Sequence, residues 1–223
     1  MRPFFSILAL IGILNSCAYS GTEQKPSADN STAPLAGVQT FVFECTGNFS
    51  FVVRAEHDRA WLFQADSTLD LPQTASTSGV RYASATHELK LHDNEASLVT
   101  DKGRYDGCRN NHARAIWEHA KLNGVDFRAT GNEPGWYLEI SDRTDILLVT
   151  DYGQSRRHFA SATLRSDPLN QKTFYNARND EDTVEITITG DPCHDSMSGE
   201  AFSAMVSVRL NDARYQGCGK ALH

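Results

Sequence analysis

The chain has 223 residues and a formal net charge of −7. That length exceeds what one minimal core needs and suits two small domains. The acidic balance argues against a nucleic-acid partner, whose phosphates such a surface repels, and favours cationic partners through long-range attraction.

In chain order, a single basic residue, Arg2, precedes an apolar run over residues 4–14 and then Asn15-Ser16-Cys17, the pattern of a secretory signal. The run of roughly a dozen residues is shorter than the about 20 that a membrane-spanning helix requires. Leu14-Asn15-Ser16-Cys17 resembles the bacterial lipobox, which implies a lipoprotein signal peptide over residues 1–16 and acylation of Cys17, with palmitate among the chains expected. Several acyl chains, at about 0.8 kcal/mol per buried methylene, make a stable membrane anchor. Ala18 in place of an Asp points to the outer membrane, facing the periplasm. An ordinary signal peptide, with Cys17 removed or free, is the alternative. Residues 17–38 are rich in Ser, Thr, Ala, Gly and Pro and read as a tether with an end-to-end distance of about 25 Å.

Beyond the tether, strands are expected over Thr40–Cys45, Phe49–Arg54, Arg59–Gln64, Leu69–Leu71, His87–Leu91 and Ala96–Thr100, with turn residues between them. Regular short strands without a helical period indicate an antiparallel sandwich or barrel. With Cys17 set aside, four cysteines remain and allow three pairings. Cys45–Cys108 and Cys193–Cys218 keep each bond inside one compact unit. The first would close a loop of roughly 60 residues and add about 4 kcal/mol in the chain-entropy account.

Phe43-Glu44-Cys45, Trp61-Leu62-Phe63, Ser78-Gly79-Val80-Arg81-Tyr82, Glu95-Ala96 and Tyr105-Asp106-Gly107-Cys108 resemble the membrane-bound inhibitors of C-type lysozyme, the MliC family. The likeness covers most of residues 41–108. It implies a small antiparallel β-barrel, a disulfide between its ends, and a loop that enters the lysozyme cleft. Ser78, Gly79, Arg81 and Tyr82 belong to that loop segment, with Tyr82 as its brace. C-type lysozymes work with one protonated and one ionised carboxyl group. A blocking loop therefore needs a hydroxyl that can donate and accept, such as that of Ser78, and a residue without a side chain, such as Gly79. The target is typically basic, so an acidic inhibitor is steered towards it.

One segment departs from the family pattern, because His92 stands where the family has a lysine that reaches the same cleft, with Asp93 at the glycine position. A histidine is cationic only when protonated, so the resemblance implies stronger inhibition at acid than at neutral pH. Read without the family, Ser-Gly is a common turn dipeptide, Tyr82 a strand residue packed on a core, and His92 an exposed strand residue.

Apolar residues at helical spacing between Asn110 and Leu122, with Gly124 as a stop, predict a short helix joining the domains. Pro134-Gly135 predicts a type II turn. Strands are expected over Tyr137–Ile140, Ile146–Thr150, Val184–Thr189 and Phe202–Leu210. Tyr215-Gln216-Gly217-Cys218 echoes Tyr105-Asp106-Gly107-Cys108, too short a likeness to establish a repeat. Gly131-Asn132-Glu133-Pro134-Gly135-Trp136 and Cys193-His194-Asp195-Ser196-Met197-Ser198-Gly199 resemble an uncharacterised envelope-lipoprotein domain, to which no activity attaches. Asn132, Glu133, Trp136 and Asp195 could converge on a ligand groove, or the polar ones could satisfy local backbone.

An enzyme is the weaker class. Cys193-His194-Asp195 holds nucleophile, base and acid types, but adjacent strand residues face opposite ways and a structural cystine accounts for Cys193. No metal or cofactor motif is present in the sequence. The expectation is a mainly β protein: a small antiparallel β-barrel over residues 39–110, a second antiparallel β-rich domain over 111–223, and a short joining helix. Its expected activity is inhibition of C-type lysozyme from a lipid anchor; the alternative is a structural or ligand-binding envelope lipoprotein that does not inhibit.

Overall fold

The computed structural model describes residues 35–64 and 67–223. The signal pattern, Cys17 and the tether up to residue 34 lie outside the described residues. Eight strands follow one another: β1 (Leu35–Glu44), β2 (Ser50–His57), β3 (Arg59–Phe63), β4 (Thr68–Thr74), β5 (Val80–Ala83), β6 (Glu88–His92), β7 (Glu95–Thr100) and β8 (Gly103–Asn110). Each pairs antiparallel with the next, and β1 returns to β8, which makes a closed barrel. Alternation sends Phe51, Val53 and Ala55 of β2 and Leu89 and Leu91 of β6 inward. Together with Phe43, Leu62, Leu71, Tyr82 and Leu98 they fill an interior that eight strands leave just wide enough for side chains.

The closing seam is short. Only Phe43–Asn110 and Glu44–Arg109 pair across β1 and β8. The chain reinforces it with bonds of other kinds. The Cys45–Cys108 disulfide lies directly beside those pairs, as the cysteine positions predicted. The Asn110 side-chain oxygen accepts from Val42 N at 3.0 Å, and Asn111 N donates to Val42 O at 2.8 Å.

Helix α1 (His112–Leu122) begins where Asn111 caps it, its side-chain oxygen accepting from Arg114 N at 3.1 Å. Glu44 of β1 accepts from both Arg114 and Asn111, and these bonds hold its carboxyl below the usual carboxylate range. At the other end Arg54 of β2 donates to the Leu122 carbonyl and to Asn123. The helix is thus tied to the barrel at both termini.

The remaining chain forms β9 (Val125–Asn132), β10 (Gly135–Ser141), β11 (Asp145–Thr150), β12 (Ser155–Phe159), β13 (Thr163–Asp167), β14 (Lys172–Arg178), β15 (Thr183–Thr189), β16 (Cys193–His194), β17 (Ala201–Phe202), β18 (Ala204–Leu210) and β19 (Ala213–Ala221). Nine of these make one antiparallel sheet in the order β12-β11-β10-β9-β19-β18-β15-β14-β13, and β16 and β17 form a small hairpin of their own. Trp136, Leu138 and Ile140 of β10 alternate inward onto Ile146, Leu148, Phe159, Ile186, Val206 and Val208. The predicted type II turn is absent: Asn132 pairs with Gly135, so Glu133 and Pro134 sit at the tip, joined by a cis bond, and Gly135 begins a strand without positive φ.

The two sheets repeat one plan. Each is a meander whose first strand pairs with its second and its last, but the second is open between β12 and β13. The first strand runs into Thr46-Gly47-Asn48 in the barrel and ends in Thr130-Gly131-Asn132 in the sheet. The last strand carries Arg104-Tyr105-Asp106-Gly107-Cys108 in one and Arg214-Tyr215-Gln216-Gly217-Cys218 in the other. The final hairpins also match in register, with Leu98–Tyr105 and Thr100–Gly103 answering to Val208–Tyr215 and Leu210–Ala213. The echo read in the sequence therefore sits at equivalent places in the fold. Its cystine does not: Cys218 bonds Cys193 of the small hairpin, and Ala129 stands where Cys45 stands in the barrel.

Candidate functional site

The loop between β4 and β5 comprises Ala75-Ser76-Thr77-Ser78-Gly79. Ser76 supplies its internal scaffold, since its hydroxyl donates to the Ser78 carbonyl at 2.6 Å and lies 3.3 Å from the Ser78 amide. Ser78 is exposed, and its own hydroxyl has no partner among the described residues. Gly79 is required on two grounds. Its φ is +64°, and a Cβ there would lie 2.2 Å from the Leu91 carbonyl oxygen.

That close approach sets the loop against the end of β6. The next residue, His92, is exposed with Nδ1 3.4 Å from Asp93, and Asp93 has φ +51°, a conformation glycine favours. Gly79, His92, Asp93 and Asn94 line one groove of about 600 Å³, completed by Gln39 and Phe41 of β1 and by His112 of α1. Residues 13 positions apart in sequence thus share a single rim.

Below the rim the loop is fastened. Arg81 donates to Thr74 Oγ1 at 3.1 Å and pairs with Glu88, which also meets Lys90 Nζ at 3.1 Å. Hydrogen bonds from Arg81, and then Lys90, hold the Glu88 carboxyl below its usual range. A carboxyl with a lowered folded-state pKa stabilises above its unfolded pKa and loses that contribution as pH falls through the folded value. Amide protection over residues 74–81 is expected to fall in the wild type as acid protonates Glu88, at lower pH than an ordinary carboxyl requires. In Glu88→Gln the protection should already be low at pH 7 and show no acid step; hydrogen exchange checks both.

Tyr82 is not a rim residue. It is 0% exposed in the barrel core, and its hydroxyl has no hydrogen-bond partner among the described residues. Burial, and then the charge of Asp58, pushes its pKa up. Arg81 is likewise a stem residue rather than a free cation. Sequence reading missed Ser76, Glu88 and His112; Ser76, two residues before Ser78, was the one with a local signal, because short hydroxyl side chains bond nearby backbone.

A second groove, of about 570 Å³, lies on the outer face of the second sheet and is lined by Asn132, Glu133, Asp195, Arg214 and Gln216 among others. Asn132 Nδ2 donates to Asp195 at 2.7 Å. The other Asp195 oxygen accepts from the Ser198 and Met197 amides and the Ser198 hydroxyl, and these bonds, led by that of the Ser198 amide, lower its pKa. Asp195 thus organises its own loop. Trp136 does not join the groove: only 3% exposed, it faces the core and donates to the Gln216 carbonyl at 3.3 Å. Gly131 and Gly217 leave its indole room, since a Cβ on either would come within 3 Å of the ring. Cys193 is held in its cystine.

Among the described residues no cluster of three or more His, Cys, Asp or Glu could hold a metal ion, and no helix is long and apolar enough to cross a membrane. The rim offers a bare stretch of backbone and an imidazole, and the exposed Ser78, whose hydroxyl has no partner among the described residues, adjoins it through Gly79. The chain matches no protein-family model, no curated protein and no solved structure.

Proposed function

We propose that this chain inhibits C-type lysozyme, the barrel presenting the Ser78-Gly79 loop and the His92 hairpin as one plug for the enzyme's active-site cleft, from a lipid anchor in the bacterial envelope. The observation that carries the reading is the convergence of two separate segments on one rim, locked by the contact of Gly79 with Leu91. The Ser78 hydroxyl can donate to the ionised carboxylate of such a cleft and accept from the protonated one. His92, when charged, adds a cation beside them.

The test is the lytic rate of a C-type lysozyme with added chain. Wild type should inhibit, and Ser78→Ala should raise the inhibition constant about tenfold, the worth of one hydrogen bond to a charged group. His92→Ala should weaken inhibition. No inhibition by wild type would favour the second reading, a ligand-binding envelope protein working through the Asn132–Asp195 groove.

A further inference from the structure

A third cleft, of about 640 Å³, lies between α1 and the outer face of β9 and β10, and the inhibitory reading makes no use of it. Its wall on the helix side carries an apolar strip, Ala115, Ile116 and Ala120, beside His112, His119 and Asn123; Ile116 is 51% exposed. Its opposite wall is built around Tyr137. The guanidinium of Arg128 stacks on that ring at 4.5 Å, and Arg156 Nη1 donates to its hydroxyl at 3.0 Å. Both cations are therefore anchored on one tyrosine.

Arg128 is 9% exposed, and its one side-chain hydrogen bond among the described residues goes to Glu139. Its guanidinium lies between the rings of Trp117 and Tyr137, and the N–H groups that Glu139 does not take remain available as donors. The Tyr137 hydroxyl, having accepted from Arg156, keeps its own proton to donate. Arg128 is paired with its cross-strand neighbour Glu139, and Arg156 adds a second cation, so two guanidinium groups and one carboxylate line the cleft in a chain whose formal net charge is −7. His119 adds no charge. Its ring bonds Thr40 and Asn123, and burial, followed by the nearby Arg54, lowers its pKa.

We infer that this cleft binds a small amphipathic carboxylate, its head held by Arg128, Arg156 and the Tyr137 hydroxyl and its apolar part lying along Ala115, Ile116 and Ala120. A volume of this size suits a small-molecule ligand, and convergent polar groups beside an apolar strip can fix the orientation of one. A carboxylate suits the forked guanidinium geometry, and the apolar strip on the helix gives the tail its burial.

Trp117 reports on the site, since its ring lies 5.7 Å from the Arg128 guanidinium. The probe is octanoate, titrated into the full-length chain while tryptophan fluorescence is followed, with octylammonium as the charge-reversed control. Octanoate is expected to give a saturable change, octylammonium none. Arg156→Gln, which alters an exposed residue, should weaken octanoate binding about tenfold, the worth of one charge-assisted hydrogen bond. Trp117→Phe should abolish the signal. The inference is overturned if octanoate gives no saturable change, if Arg156→Gln binds as wild type does, if octylammonium acts equally, or if the signal survives in Trp117→Phe. None of these outcomes depends on lysozyme, so the inhibitory reading stands or falls separately.

Discussion

Replacing Cys45 and Cys108 together by alanine is expected to lower the stability of the barrel by about 4 kcal/mol. The bond spans 63 residues, and its loss returns that loop entropy to the unfolded chain. Position adds to the effect. The seam between β1 and β8 consists of two residue pairs, and the disulfide continues it by one step on each strand. A barrel whose closing pairs fray exposes strand edges to water and to other chains. Urea unfolding should show a lower midpoint in the double mutant. A change below about 1 kcal/mol would mean that the Asn110 and Asn111 bonds to Val42 suffice to close the seam. The equivalent removal of Cys193 and Cys218, a loop of 25 residues, should cost about 3.5 kcal/mol and leave the barrel closed.

Tyr82 separates bracing from direct contact. Tyr82→Ala deletes a fully buried ring among Leu71, Leu89 and Phe43 and is expected to cost about 3–5 kcal/mol. Tyr82→Phe removes only a hydroxyl that is buried without a partner, so stability should hold or rise by about 1 kcal/mol. Under the proposed function Tyr82→Phe also inhibits lysozyme as well as wild type, because the ring and not the hydroxyl carries the β5 end of the loop. Full stability with lost inhibition in Tyr82→Phe would mean that the hydroxyl acts on the partner, and the bracing role would be wrong.

Strands with one apolar face were legible in the sequence. β2, β6, β7, β10, β15 and β18 alternate between core and surface and were expected close to where they lie. β8 and β19 were missed because their residues mask the pattern. Gly103 and Gly107 interrupt β8, which buries only Cys108 fully, and Gly217 and Gly219 do the same in β19. β5 is four residues long, so its local signal is that of the turn before it. β12 and β13 are sheet edges rich in charge, where packing gives little pattern to read.

The cystines were legible because each pair encloses one sheet's closing elements. The rim was legible in part: Gly79 and His92 could be named, but their meeting depends on the register of β5 with β6, which neither segment shows by itself. Trp136 was misassigned although its own strand held the answer. It alternates in phase with Leu138 and Ile140, and pairs with Gly131, one residue out of phase with the outward Asn132.

The most direct measurement is competition for the lysozyme cleft. Binding of the full-length chain to a C-type lysozyme should be followed by calorimetry, with the enzyme free and then saturated with an oligosaccharide fragment of its substrate. If the Ser78-Gly79 rim enters that cleft, the saccharide abolishes binding in proportion to its occupancy. Equal binding to the free and the filled enzyme, or no binding to either, would contradict the account.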